Sequence, residues 1–421
     1  MVSSVLVSPQ ERFVHGQLIN LVRRGEATSR PALEQKTGLG RKVVAQRIQH
    51  AIDVGLIDDS TFASADVGRP SRFLRFRQDA GLVYAGTIET TQLRAAVATL
   101  DGEIMASLQK DWNGEVGPEK TLEALKSMFD RLQLRAGTPP WAIGIGISGV
   151  VQFDRGRLVR SPLLPGWDGF GVRAWLRERY DSPVWIENDV NLMALGEWHR
   201  GHPREDRDLL YLLMDDEVGA ALVSRGMLLR GDSGAAGSIG HSRITDDPSV
   251  VCRCGLIGCL EAVVAGWSLA QRLTRRADES PFLAARLREH GSLTAEDVGA
   301  AARAGDSLAR GEIAAAIRTF AAAAANIVNF ANPGTVVIGG GLLRVGPWTV
   351  DMLEAELRGR ITTIAARDLS VRAASLEHEE GLAGAAFLAV EQLFGPSAVG
   401  LWIENGSPIG RAASLQGTLV V

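Results

Sequence analysis

The run from Gly237 to Glu261 constrains the fold more than any other stretch, because it gathers the donors of a metal site. All three cysteines of the 421-residue chain, Cys252, Cys254 and Cys259, fall within eight residues, and His241 stands eleven residues before the first. Three thiolates and one imidazole make a closed tetrahedral set suited to Zn²⁺, and a set with no open position is structural rather than catalytic. Gly255 and Gly258 let the backbone wrap around such an ion. The competing reading is three reduced cysteines packed as small hydrophobes beside an unrelated histidine. An odd number of cysteines at metal-ligand spacing also fits a reducing compartment rather than a disulfide framework.

Charge divides the chain unevenly. Residues 1–77 hold twelve Lys or Arg against seven Asp or Glu, a surplus of five, so the rest carries minus nine within a total of −4. A basic end on an acidic body predicts that the first segment meets a polyanion. Helical spacing runs from Gln10 to Arg24. A second helix is expected to start at the cap Ser29, with Pro31 in its first turn, and to close at Gly38. A third, from Gly40 to Val54, turns Val44, Ile48, Ala51 and Ile52 inward and Arg41, Lys42, Gln46, Gln49 and His50 outward. The stretch from Gly68 to Phe76 alternates apolar and basic residues as a half-exposed strand does. Three helices and a basic hairpin resemble a winged helix-turn-helix, which implies a third helix in the major groove. Arg41, Lys42 and Gln46 are then candidates for base edges or flanking phosphates, and Arg69 and Arg72 for phosphates or the minor groove. An arginine-rich solvated face is the plainer alternative.

After Gln78–Gly81, read as a linker, three strands are expected over Leu82–Glu89, Leu93–Leu100 and Ile104–Trp112, with Asp101–Gly102 as a turn. A helix over Pro118–Arg135 and a glycine-interleaved strand over Ala142–Val151 follow. A similar order recurs in Asp208–Met214, Gly219–Ser224, an alanine-rich helix from Glu312 to Phe330, and Thr335–Ile338. Periodicity alone gives an α/β body of two lobes. No run of eighteen apolar residues and no signal-peptide layout is present, so a soluble cytoplasmic protein with no membrane partner is expected.

The motifs G-x-I-G-H and C-x-C-G-x-x-G-C-x-E, with Glu187-Asn188-Asp189-Val190-Asn191, resemble those of the ROK family of repressors, open reading frames and sugar kinases. The resemblance extends in order over about three quarters of the chain and implies an actin-like ATPase (ribonuclease H-like) body of two lobes behind the winged helix-turn-helix. The expected division is 1–78 for the DNA-binding head, 79–190 for lobe 1 with 381–394 packing back on it, and 191–380 for lobe 2 with the metal loop. The tail 395–421 has no assignment.

The resemblance also points to two departures. Kinases of the family carry D-I-G-G-T where this chain has Thr87-Ile88-Glu89-Thr90-Thr91, and G-T-G-x-G where it has Asp215-Asp216-Glu217-Val218-Gly219. Glycine turns let backbone N–H groups reach phosphate oxygens. Three carboxylates in that place are expected to repel a triphosphate, by about 4 kcal/mol for a pair at ~4 Å and an effective dielectric of ~20. Gly339-Gly340-Gly341, where the family holds the adenosine, is read as a retained turn. The sugar half keeps Asn188, Asp189, His241 and Glu261, while Ser238 replaces the family's glutamate. In the kinases that aspartate is the general base. An N-cap role for Asn188 and Asp189 is the alternative. The function expected is a sugar-responsive DNA-binding regulator, a repressor, without catalytic residues or kinase activity. Its expected partners are a palindromic operator, a sugar effector and a second or further copies of itself as a homodimer or homotetramer. The alternatives are a sugar kinase with an added head, and a DNA-binding protein with a vestigial pocket.

Overall fold

Ser8 opens the first helix with a capping box: its hydroxyl accepts from the Glu11 N–H while the Glu11 carboxylate accepts from the Ser8 N–H. This computed structural model describes residues 8–62, 71–161, 163–201, 208–376 and 378–417. Two units emerge, one of 1–160, 164–187 and 385–421, the other of 161–163 and 188–384.

In the first unit the head consists of α1 (Pro9–Arg23), α2 (Arg30–Thr37) and α3 (Arg41–Asp53), then β1 (Ile57–Phe62) paired antiparallel with β2 (Ser71–Phe76). Ser29 caps α2 and Gly38 ends it at φ 69°, a left-handed position where glycine costs least. Leu18, Ile19, Leu33, Val44, Ile48 and Ala51 form the head's apolar interior. His50, expected to face outward, instead turns its ring to the buried His15, centroid to centroid 5.1 Å. Its position beside Ala51 on the helix wheel lets an imidazole reach either face.

The same unit continues with β3 (Leu82–Ile88), β4 (Gln92–Thr99), β5 (Ile104–Asp111), α4 (Pro118–Ala136), β6 (Ala142–Ile147), β7 (Val150–Gln152), β8 (Arg157–Arg160), α5 (Val172–Arg177) and β9 (Val184–Asn188). The sheet order is β5-β4-β3-β6-β9, antiparallel from β5 to β3 and parallel from β3 to β6. Tyr84, Phe129, Ile145 and Trp167 are among its buried core.

The second unit holds α6 (Asp189–Arg200), β10 (Leu209–Met214), β11 (Val218–Ser224), β12 (Met227–Leu228), α7 (Glu261–Val264), α8 (Gly266–Thr274), α9 (Pro281–His290), α10 (Ala295–Arg303), α11 (Ser307–Ala331), β13 (Thr335–Gly339), α12 (Pro347–Arg358), α13 (Thr363–Arg367) and β14 (Ser370–Ala373). Its sheet, β12-β11-β10-β13-β14, repeats the first one's plan: antiparallel hairpins, then parallel strands. Helix α11 is long and apolar enough by composition to cross a membrane, yet Ile313, Ile317, Phe320, Ala324 and Val328 bury it in one core with Leu210, Leu212, Val336 and Ile338. Burial on one face only is the pattern of a central helix in a globular layer.

Helix α14 (Glu380–Leu393) runs from the second unit into the first. At Gly144 of β6 an added Cβ would lie 2.0 Å from the Ala385 carbonyl oxygen, which explains the glycine at that position. Residues 395–417, unassigned from sequence, form α15 (Pro396–Trp402), a 3-10 turn and α16 (Ala412–Gly417). They are the head's seat. Helix α1 crosses α15 so closely that a Cβ on Gly16 would stand 2.2 Å from the Pro396 carbonyl oxygen, and one on Gly400 2.2 Å from the Arg12 Cβ. Asn20 donates to the Phe394 carbonyl, and Arg23 and Arg24 both grip Glu391.

Candidate metal centre and ligand site

The metal loop folds on itself as an antiparallel knuckle. Ile244 N–H donates to the Gly258 carbonyl, Gly258 N–H to Val250, Cys252 N–H to Leu256, and Leu260 N–H to Ser242. Gly255 and Gly258 take φ of 90° and 79°, and a Cβ on Gly258 would sit 1.8 Å from the Thr245 carbonyl oxygen. Only glycine allows the crossing.

This knuckle brings His241, Cys252, Cys254 and Cys259 together, one donor atom from each within 4.8 Å of all the others. The Cys252 sulfur lies 3.8 Å from His241 Nδ1, and the Cys254 and Cys259 sulfurs are 3.8 Å apart. A tetrahedral ion with metal–sulfur bonds of ~2.3 Å sets its sulfurs roughly 3.8 Å apart, so the cage has the edge length such an ion requires. The cysteines are not joined by a disulfide. Burial pushes the Cys252 and Cys259 thiols above their ordinary value, so a cation that binds must displace their protons.

Several of the residues expected at a sugar site gather around strand β11. On one side, Val190 of α6 packs on Gly219, where a Cβ would lie 3.0 Å from a Val190 methyl. Asn188 caps α6 by accepting from the Asn191 N–H at 3.1 Å, and its amide donates to Asp189 at 3.0 Å. Asp189 is 5% exposed and also accepts from the Val190 N–H. On the other side, the Glu261 carboxylate opens α7 and accepts from the Val218 N–H at 3.4 Å. Burial raises the Glu261 pKa while His241 opposes the rise. Ser238 is exposed and its hydroxyl donates to the Ala235 carbonyl at 2.8 Å. Asn188 therefore has the capping role foreseen as the alternative, which leaves its neighbour Asp189 as the carboxylate of the pair.

The acidic turn between β10 and β11 departs from expectation. Asp215 does not stand open to repel a phosphate: its carboxylate accepts from the Gly341 N–H at 2.9 Å, and burial raises its pKa against that bond. Asp216 pairs with Arg253 at 3.4 Å, whose guanidinium lies 4.7 Å from the centre of the Trp267 ring. Arg253 stands between two cage cysteines, a role that the spacing C-R-C left unread.

In the head, most basic residues are paired: Arg30 with Asp59, Lys36 with Glu26, Arg47 with Glu11, Arg75 with Asp58 and Arg77 with Asp58 and Asp79. Arg41, Lys42 and Gln46 are exposed on α3 and make no side-chain hydrogen bond or ion pair among the described residues. Helix α3 begins at Gly40 without a side-chain cap. Arg69 lies outside the described residues. Arg72 sits in β2 opposite Thr61, and its side chain is likewise outside them.

A sequence profile described as the ROK family matches residues 85–392. The chain is 29% identical over 307 residues to a glucokinase of Halalkalibacterium halodurans, covering 72% of this chain and 93% of that one. It is 26% identical over 322 residues to a xylose repressor of Caldicellulosiruptor bescii, covering 74% and 78%. Among solved structures, a ROK family transcriptional regulator, a homologue of the E. coli MLC protein, superposes with a TM-score of 0.79 at 22% identity, over 94% of this chain and all of that one. A ROK family glucokinase of Streptomyces griseus, solved with glucose and AMPPNP, gives 0.65 at 26% identity, over 73% and 99%. The profile spans well over half of the residues, the two sheets share one strand plan, and the Cys/His cage sits where the motifs put it: the chain belongs to the ROK family.

Proposed function

We propose that this protein is a sugar-responsive, DNA-binding repressor whose kinase-derived body senses its effector without turning it over. The observation that carries the reading is the state of the head's charges. Among the described residues Arg41, Lys42 and Gln46 are left unpaired on one exposed face of α3, while seven other basic residues of the head are tied to carboxylates. Unpaired cations on a helix face bind phosphates by releasing counterions. In this reading the start of α3 enters the major groove, Gln46 reaches a base edge, and Arg69 and Arg72 serve the adjacent phosphates or minor groove.

The cage of His241, Cys252, Cys254 and Cys259 holds Zn²⁺ as a structural ion. With Nδ1 turned to the metal, the other nitrogen of His241 is left for the sugar, beside Glu261, Asp189, Asn188 and Ser238. Such a set of carboxylates and amides suits neighbouring hydroxyls, and an analogue lacking one hydroxyl leaves a buried group unpaired. Nucleotide is excluded because the positions that the family's kinases fill with glycine hold Glu89, Asp215 and Glu217. The active species is a cytoplasmic homodimer or homotetramer on a palindromic operator, and the effector acts by binding one conformation better than another.

The test is operator binding with and without a panel of monosaccharides, N-acetylated sugars and sugar phosphates. One panel member is expected to change operator affinity at least tenfold, and a panel without any effect would sink the sensor. The glucokinase relative at 29% identity supports a second reading, a kinase bearing a DNA-binding head. Sugar-dependent release of ADP from ATP by the purified protein would establish it.

A further inference from the structure

Parallel strands β10 and β13 lie side by side, with Leu213 opposite Gly339, so the turns that follow them, Asp215–Glu217 and Gly340–Gly341, share one edge of the sheet. Crevices outside the carboxyl ends of parallel strands are where open α/β sheets take their ligands, and free backbone N–H groups there suit anions. Here the two turns are bonded to one another. Asp215 is tied down three times: its N–H donates to the Glu217 carbonyl, its carbonyl accepts from Gly266 at 2.8 Å, and its carboxylate accepts from the Gly341 N–H at 2.9 Å. The carboxylate also packs on the glycine itself, since a Cβ at Gly341 would lie 3.3 Å from Asp215 Oδ1. At Gly340, with φ 106°, a Cβ would stand 2.2 Å from the Met214 carbonyl oxygen, so the two turns are pressed together. The neighbouring Asp216 is held to Arg253 of the metal loop, which fixes the turn from its other side.

We propose that Asp215 is a built-in anion: its carboxylate occupies the Gly341 amide, in the turn where the family's kinases hold the adenosine, which makes it the residue that sets this site against nucleotides and frees the sugar response from them. The inference rests on the reading of the body as a sugar sensor that holds no nucleotide. It replaces repulsion with occupancy as the cause of exclusion. Repulsion weakens with salt, whereas an occupied donor stays occupied.

Removing the carboxylate opens a hole of matching size and charge preference, which a small oxyanion should refill. Thermal melts of the wild type, Asp215→Ala and Asp215→Asn are compared in chloride, formate and inorganic phosphate at equal ionic strength. Asp215→Ala is expected to melt lower and to recover at least about 2 °C in formate or phosphate beyond chloride. The wild type and Asp215→Asn, whose carboxamide oxygen still accepts from Gly341, are expected to show no such gain. An alanine variant indifferent to both anions, or a wild type stabilised equally by them, overturns the proposal. Hydrogen exchange of the wild-type Gly341 amide needs no variant. At least hundredfold slowing against an unprotected amide is expected, and free exchange likewise overturns the proposal. Titration of the wild type with ATP and Mg²⁺ separates the two readings. Binding there defeats the nucleotide-free sensor, whereas no binding together with an anion-blind alanine variant defeats only the built-in anion.

Discussion

The head and the acidic turn of the second unit carry opposite charge runs, and the structure treats them in opposite ways. At the start of α3, Arg41 and Lys42 have no partner among the described residues, whereas after β10 Asp215 is held by the Gly341 amide and Asp216 by Arg253 in an exposed pair. Read as sequence, each run looked like a statement about an external polyanion, attraction in one case and repulsion in the other. The difference teaches that the sign of a cluster says little until its partners are known. A free cation is available to a ligand, while a buried carboxylate with a donor is part of the scaffold.

The comparison can be sharpened first where charge is most fully committed, at the metal cage. Cys259→Ser should lower stability by more than about 4 kcal/mol and abolish stoichiometric zinc, read by thermal melting and a chromophoric chelator. Full zinc occupancy in that variant would break the four-ligand assignment. The free charges come next. Arg41→Ala with Lys42→Ala should weaken operator binding by about 10- to 100-fold and reduce the salt slope by about two, with stability within about 0.5 kcal/mol of the wild type. An unchanged slope would mean that those cations are not the DNA contacts.

Glu391→Ala tests a pair that is intermediate between the two extremes. Its loss leaves the Arg23 side chain, 6% exposed, without its carboxylate, for a cost of about 1–2 kcal/mol once the partial exposure of Glu391 is allowed for. Faster hydrogen exchange across α1 is the expected sign. Acid should give the smallest effect. Burial, then His50 and Arg47, hold His15 down to about 4 from its ordinary 6.5, so the unfolded chain takes a proton first and head stability falls as pH drops from 6.5 toward 4. At pH 5.5 that amounts to about 1.4 kcal/mol. Glu391 adds to the loss lower down. Burial would raise its pKa, but Arg23 and Arg24 bring it below 4.5, so its contribution is present above 4.5 and disappears as pH falls through the depressed value. A head whose melting is flat between pH 7 and 5 would contradict the buried His15.

Elements with local signals were legible before the structure. Ser29 and Gly38 bound α2 as their capping chemistry requires, Asp101–Gly102 turns between β4 and β5, and the Cys/His spacing closes into one cage. What stayed hidden depends on contacts between residues far apart in the chain. Nothing near Asp215 announces that the Gly341 amide waits for it, 126 residues on. Nothing in residues 395–417 says that Pro396 will meet Gly16, because small residues at a helix crossing leave no periodic trace. His50, half-buried, lies with its ring tilted against His15, a contact that helical periodicity does not register. Asn188 was ambiguous for a local reason: the same side chain suits a cap and a ligand equally.

The grip of α15 on α1 has a consequence for how the protein is born. Asn20 leaves the ribosome 374 residues before Phe394, the partner of its amide, so the N-terminal helices wait tens of seconds for their support to be synthesised. A nascent or prematurely terminated chain therefore carries α1–α3 without the helix that packs on α1, and on the proposed reading a head of that kind would meet an operator unsupported.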